Sequence, residues 1–142
     1  MQLSLHSDYA LRILMALAAR KERLSVDDVA RQYGISRNHL AKVAQELQAL
    51  GYIVTTRGRG GGMELARPAK DIVVGEVVRE FEKLDSFVSC MGAPAAGCAV
   101  DGVCGLKPAL SGALAAFLAH LDGYTLADLT PNPKAFLARL AA

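Results

Sequence analysis

The chain has little of what catalysis, export or membrane insertion would require. Its 142 residues include no tryptophan, and the three histidines His6, His39 and His120 lie far apart in sequence. With so few aromatic and polar pocket residues and no nucleophile–base arrangement, the sequence argues against an enzyme. No apolar run reaches the roughly 18 residues of a membrane span. Residues 1–7 lack a basic flank before an apolar stretch, so we expect a cytoplasmic protein without a secretory signal.

Cysteine is also scarce, and all of it lies in one stretch: Cys90, Cys98 and Cys104. An odd number excludes a complete intramolecular disulfide framework, and clustered cysteines in a reducing compartment more often bind metal or do redox chemistry. The gaps of seven and five residues lack the short pairs of structural zinc sites and thioredoxin-like motifs. Wide spacing in a Gly-rich loop without periodicity favours an iron–sulfur cluster, of two or four irons, over buried structural cysteines.

Charge divides the chain into two predicted domains. Residues 1–70 hold eleven Lys and Arg against six Asp and Glu, whereas residues 71–142 hold five against eight. A basic half followed by an acidic half indicates a nucleic-acid-binding domain over residues 1–70, joined to a region with another role over residues 71–142.

Patterns in the basic half predict a winged helix-turn-helix. Apolar residues at helical spacing predict a first helix from an N-cap at Ser7 to Arg20. A second helix is predicted to open with a capping box of Ser25 and Asp28 and to end at Gly34, and a third to run over residues 36–50. Strands over residues 52–56 and 63–66 then enclose a Gly-rich tip, which is the plan of a wing after a recognition helix.

Several side chains in this unit are of types that bind DNA. The start of a recognition helix reaches base edges, where Arg suits guanine and Asn suits adenine, and basic residues at a wing suit phosphates or a narrow minor groove. The alternatives are an ordinary helical hairpin with a solvated polar face and a mobile solvated turn. The predicted DNA-contacting residues are Ser36, Arg37, Asn38, His39, Lys42, Arg57 and Arg59.

The acidic half predicts helices around the cysteine loop. A short helix is expected over residues 72–81, and a longer one from Pro108 in its first turn to about Leu121. The longer helix is Ala-rich between its large apolar residues, so we predict that it is the dimerisation helix, the alternative being that it covers its own chain's core. The expected fold class is therefore mainly α with a small β-hairpin wing: a winged helix-turn-helix, a cluster-binding loop and a C-terminal dimerisation helix.

These elements, in this order, resemble the IscR/NsrR/RirA family of iron–sulfur transcription regulators over almost the whole chain. The likeness is strongest to the members that sense nitric oxide. It is carried by the cysteines and by the runs at residues 11–14, 35–43, 50–53, 57–62 and 65–66. The resemblance implies a bacterial homodimer that binds double-stranded DNA at a palindromic operator, with a cluster at the dimer interface. Nitric oxide then reacts with the irons and the altered site releases the DNA.

The resemblance also implies a fourth cluster ligand. Members close to IscR place a His shortly after the third cysteine, but Cys104 is followed by residues 105–108 without one. Other members use an acidic residue near the N-terminus of the partner chain, where this chain has Asp8; its alternative role is to stabilise its helix dipole. His6 and Asp101 are lesser candidates. A 4Fe-4S cluster is the favoured expectation and 2Fe-2S the alternative.

Two other functions stay open at this point. A regulator that senses cluster supply or redox state would switch in a similar way, because cluster loss would also alter the site. An iron–sulfur electron carrier is the less favoured alternative, since it would not need Arg57 and Arg59 on a wing.

Overall fold

The computed structural model describes residues 3–84, 91 and 98–141. Within these ranges the protein is mainly helical, with one antiparallel hairpin, which confirms the predicted fold class. None of the helices seen there combines the length and apolar character needed to cross a bilayer. The elements are α1 Leu5–Ala19, α2 Val26–Tyr33, α3 Arg37–Ala49, β1 Ile53–Thr56, β2 Gly62–Leu65, α4 Val74–Phe81, α5 Leu106–Asp122 and α6 Pro133–Leu140.

The first helix begins earlier than its sequence suggested, and the prediction that Ser7 caps it is wrong. Ser4 is the N-cap: its hydroxyl accepts a hydrogen bond from the Ser7 backbone N–H at 3.1 Å, which satisfies one of the free donors of the first turn. Ser7 itself is buried, and its hydroxyl donates to the Glu82 carboxylate at 2.5 Å. The serine pattern fits either position locally, and this contact across the fold decides between them.

The predicted signals around α2 are confirmed. The Ser25 hydroxyl accepts from the Asp28 backbone N–H, and the Asp28 carboxylate accepts from that of Ser25, so the capping box is complete. Gly34 ends the helix with φ 64°, a left-handed conformation that glycine adopts at little cost. The following helix, α3, buries one face, Leu40, Val43 and Leu47, in a core shared with Ile13 and Leu14 of α1.

The wing is anchored to the helical unit rather than free. Strand β1 pairs with β2 in the register Ile53↔Leu65 to Thr56↔Gly62. Met63 in β2 is buried and exchanges two backbone hydrogen bonds with Leu24, of 2.7 and 3.1 Å, so the segment before α2 lies beside the hairpin. At the tip, a Cβ on Gly61 would overlap the Thr56 carbonyl oxygen. The tight turn therefore requires glycine there.

Helix α4 joins the core, whereas the last two helices stay at the surface. Val77, Val78 and Phe81 of α4 are buried. Helix α5 begins two residues before Pro108, and the Arg79 guanidinium binds both carboxylate oxygens of Asp122 at 2.6 and 2.7 Å, which ties the end of α5 to α4. Neither α5 nor α6 buries a single residue within the chain.

Candidate nucleic-acid interface and metal site

The start of α3 is open to solvent, as a base-reading helix end must be. Ser36, Arg37, Asn38 and His39 are all exposed, and so is Lys42 one turn later. Ser36 is the N-cap by position, yet its side chain makes no cap hydrogen bond. Its hydroxyl and the free backbone N–H groups of the first turn are thus able to bind an anionic oxygen such as that of a phosphate.

Arg37 is held by a residue that the sequence reasoning missed. Its Nε donates to the Asp27 carboxylate at 2.6 Å, and the two side chains remain 62% and 57% exposed. Asp27 lies in the first turn of α2, ten residues earlier, and no local pattern links the two positions. The pair spans the turn between the two helices of the helix-turn-helix.

The predicted contact residue His39 also faces another part of its own chain. Its ring lies nearly parallel to that of Tyr9 in α1, with 6.5 Å between centroids. A neighbouring contact joins His6 Nε2 and Glu46 Oε2 at 2.5 Å. Helices α1 and α3 enclose a cavity of 170 Å³ between them, lined by Leu5, His6, Tyr9, His39, Lys42 and Val43. The first two turns of α1 therefore contact the recognition helix directly.

A groove separates the other side of α3 from the wing. Its volume is 700 Å³, and its polar lining comprises Gln45 and Gln48 from α3 and Thr55 and Arg57 from the hairpin. The Thr55 hydroxyl donates to the Gln48 side chain at 2.7 Å, which links helix and wing. The sequence analysis did not single out the two glutamines. Helical spacing places Ala41, Gln45 and Gln48 on one face of α3, and that spacing could have indicated them. Arg57 shares this groove with α3, while Arg59 is exposed at the tip.

Two of the three predicted thiolate ligands line one cavity near the start of α5. Cys98 and Cys104 are free, exposed thiols that line one cavity of 310 Å³, together with Asp101, Gly102, Lys107 and Pro108. Cys90 lies outside the described residues. Exposed thiols around one cavity are of the ligand type that an iron–sulfur cluster takes, and their exposure does not fit core packing.

Asp8 lies on α1 and is not among the residues that line that cavity. Its carboxylate accepts a hydrogen bond from Arg12 Nε at 2.9 Å and is 38% exposed, and it does not line the cavity of Cys98 and Cys104. Within the described part of one chain, no three His, Cys, Asp or Glu side chains come together as a metal site.

Glu82, which the sequence did not single out, connects the two regions. It follows α4 directly, and its carboxylate accepts from the Ser4 backbone N–H at 2.7 Å and from the Ser7 hydroxyl at 2.5 Å. Burial opposes ionisation, but these hydrogen bonds outweigh it and hold the pKa of Glu82 below its ordinary value. The carboxylate thereby fixes the N-terminus of α1, next to Asp8, against the segment that leads to the cysteines.

Comparisons with known proteins show which family the chain resembles. The Rrf2 family model, described as an iron-dependent transcriptional regulator, matches residues 3–132. The transcriptional regulator NsrR of Bacillus subtilis (strain 168) is 46% identical over 136 residues, 94% of this chain and 93% of that protein. NsrR of Geobacillus kaustophilus (strain HTA426) is 48% identical over 131 residues, 91% of this chain and 89% of that one.

Solved structures show the same fold. The structure of T. potens IscR superposes with a TM-score of 0.72 at 25% identity, covering 92% of this chain and 87% of the other. CymR, the global cysteine regulator of B. subtilis, gives 0.73 at 22% identity, covering 92% and 97%. The family resemblance predicted from the residues is confirmed.

Proposed function

Because the chain belongs to the Rrf2 family and is a transcriptional regulator rather than an enzyme, we propose that it is a cytoplasmic, homodimeric repressor that senses nitric oxide through an iron–sulfur cluster. In the absence of nitric oxide it binds a palindromic operator in double-stranded DNA. Reaction of the cluster with nitric oxide releases that DNA, and the repressed genes are then expressed.

The observation that carries the proposal is the placement of Cys98 and Cys104 on one cavity at the start of α5. These thiols belong to a chain that matches NsrR regulators at 46% and 48% identity over most of its length. Cys90, Cys98 and Cys104 would hold the cluster, 4Fe-4S before 2Fe-2S, and the partner subunit's Asp8 would complete the ligand set. The cluster supplies irons that react with nitric oxide.

The exposed surface of α5 supports the proposed dimer. Leu114, Phe117 and Leu118 are only half-buried within the chain, and Val103 and Leu106, close to Cys104, are 86% and 57% exposed. Covering such a surface with a second copy buries apolar area. It also pairs two recognition helices and two wings, as a two-fold operator requires.

Asp8 is a suitable point of control because of where its helix leads. An oxygen ligand is harder than a thiolate and binds an iron–sulfur centre less firmly. When Asp8 is released, Arg12 remains as its partner within the chain, at 2.9 Å. Tyr9 and His6 on the same helix contact His39 and Glu46 of α3, so a shift of α1 moves the recognition helix relative to the DNA.

The proposal is tested by purification without oxygen, visible absorbance and intact mass, followed by nitric oxide titration with a DNA-binding readout. We expect a coloured dimer whose operator affinity falls steeply with salt, because phosphate contacts release counterions, and falls again on nitric oxide addition. Cys104→Ser should remove the absorbance while the helical circular dichroism stays. A colourless wild-type protein with unchanged DNA affinity would reject the sensor.

Asp8→Ala separates the ligand role from the helix-dipole role. As a ligand, Asp8 should be needed for cluster-dependent DNA affinity and for the nitric oxide response. Asp8→Ala that keeps both unchanged would contradict ligation. Operator binding that requires the cluster but ignores nitric oxide would instead favour a sensor of cluster supply or redox state.

A further inference from the structure

We propose that Asp27 is a positioning residue for sequence recognition, which orients Arg37 so that its guanidinium reads a guanine end-on in the major groove. The inference rests on the proposed DNA-binding role of the start of α3. It goes beyond that role by naming the residue that sets base preference at this point.

The geometry shows that Arg37 already has a hydrogen-bonding partner within its own chain. Arg37 is the first residue of α3 and Asp27 lies in the first turn of α2, so their contact bridges the turn of the helix-turn-helix. The Nε–Oδ1 distance is 2.6 Å, and both side chains are more than half exposed. An ion pair this exposed contributes little to folding stability, so stability alone does not explain it.

Helix electrostatics also argue against a purely structural role for Arg37. The N-terminal end of a helix carries a partial positive charge and disfavours a cation. Helix α3 has no acidic residue in its first turn, and Ser36 gives it no side-chain cap. Arg37 thus stands where it does not stabilise its own helix. The same place is the one from which a recognition helix reaches bases.

The contact with Asp27 leaves the base-reading edge free. A guanidinium has five N–H donors, and Asp27 accepts from Nε, so the two terminal nitrogens Nη1 and Nη2 can donate in parallel to O6 and N7 of guanine. Without Asp27 the side chain would also turn to phosphates, which carry no sequence information. Asp27 should therefore change base discrimination more than overall affinity.

The experiment uses the full-length protein, purified without oxygen, and an operator selected from random duplexes. Each position is then changed symmetrically in both half-sites, and dissociation constants are measured by fluorescence anisotropy. Arg37→Ala identifies the position, where we expect its loss to remove a guanine preference of roughly 5- to 150-fold. At that position Asp27→Ala should lose several-fold of the preference. Asp27→Asn, which keeps an oxygen acceptor, should lose less.

Asp71→Asn is the matched control, since it makes the same charge change at an exposed residue after the wing. It should leave every base preference unchanged, whereas Asp27→Ala should steepen the salt dependence of binding, because the released Arg37 then also contacts phosphates. Asp27→Ala with the full wild-type preference would show that Asp27 is only a first-turn carboxylate of α2, and this overturns the inference. So would Arg37→Ala with no altered base preference. Both results leave the proposed function standing, whereas a wild-type protein without salt-dependent duplex binding would reject that function itself.

Discussion

The DNA-binding unit and the last two helices differ in how far their apolar side chains are buried. In residues 3–70, Ile13 and Leu14 of α1 and Leu40 and Leu47 of α3 are completely buried in one core. Helix α5 is as apolar as these helices, yet none of its residues is buried. The first region completes its core within one chain. The second region, which carries Cys104 just before α5, leaves apolar surface exposed, and this is the surface that the proposed dimer would cover.

The largest effects on stability and self-association should come from replacing one leucine in each region, Leu14 in α1 and Leu114 in α5, with alanine. Leu14→Ala leaves a cavity in a fully buried site and should lower the free energy of unfolding by about 2–5 kcal/mol, measured by urea denaturation. Leu114→Ala, on α5, should lower it much less. Instead it should raise the dimer dissociation constant about tenfold, as expected for an apolar interface residue.

Sedimentation equilibrium supplies the second half of that test. Leu14→Ala should leave the dissociation constant of the folded dimer close to the wild-type value. If Leu114→Ala instead destabilised the chain as strongly as Leu14→Ala and left self-association unchanged, α5 would be covering its own core, and the contrast between the two regions would not exist.

Features that depend on neighbouring residues could be predicted from the sequence, whereas contacts between distant residues could not. The capping box of Ser25 and Asp28, the helix end at Gly34 and the hairpin were predictable because each depends on residues a few positions apart.

Contacts between distant positions left no such signal. Glu82 and Ser7 are 75 residues apart, so no local pattern predicts that the Ser7 hydroxyl donates to the Glu82 carboxylate. Asp27 and Arg37 lie on different helices, so no helical spacing connects them. For the metal site, cysteine spacing predicted the kind of cofactor. It could not predict that Cys98 and Cys104 line one cavity and that Asp8 does not, because these positions depend on the whole fold.

An intermediate effect should appear at Glu82, which joins the two regions. Its folded-state pKa lies below the ordinary value near 4.3, so its stabilising contribution is full above that value and is lost as pH falls through the folded pKa. Glu82→Gln should cost on the order of 1 kcal/mol at neutral pH, where it weakens the hydrogen bonds from Ser4 and Ser7. The difference from wild type should shrink as pH falls through the lowered pKa of Glu82.

Denaturant unfolding at several pH values measures this difference, with Glu22→Gln, at an exposed position, as the control for charge removal. Glu22→Gln should follow the wild-type curve throughout. A constant gap between Glu82→Gln and wild type from neutral to acid pH would mean that packing, and not the ionised carboxylate, connects the N-terminus of α1 to the end of α4.

The smallest effects should appear at two serines within the DNA-binding unit. Ser25 and Ser36 both occupy N-cap positions, but only the Ser25 hydroxyl accepts a hydrogen bond from its helix. Ser25→Ala should therefore lower the free energy of unfolding by about 1 kcal/mol with operator affinity nearly unchanged. Ser36→Ala should leave stability within experimental error and weaken operator binding, because its hydroxyl is free to contact DNA. Parallel urea denaturation and anisotropy titrations of the two variants measure both quantities. Equal stability losses for the two would show that Ser36 is spent on capping α3, and the start of the recognition helix would then have one fewer group available for DNA.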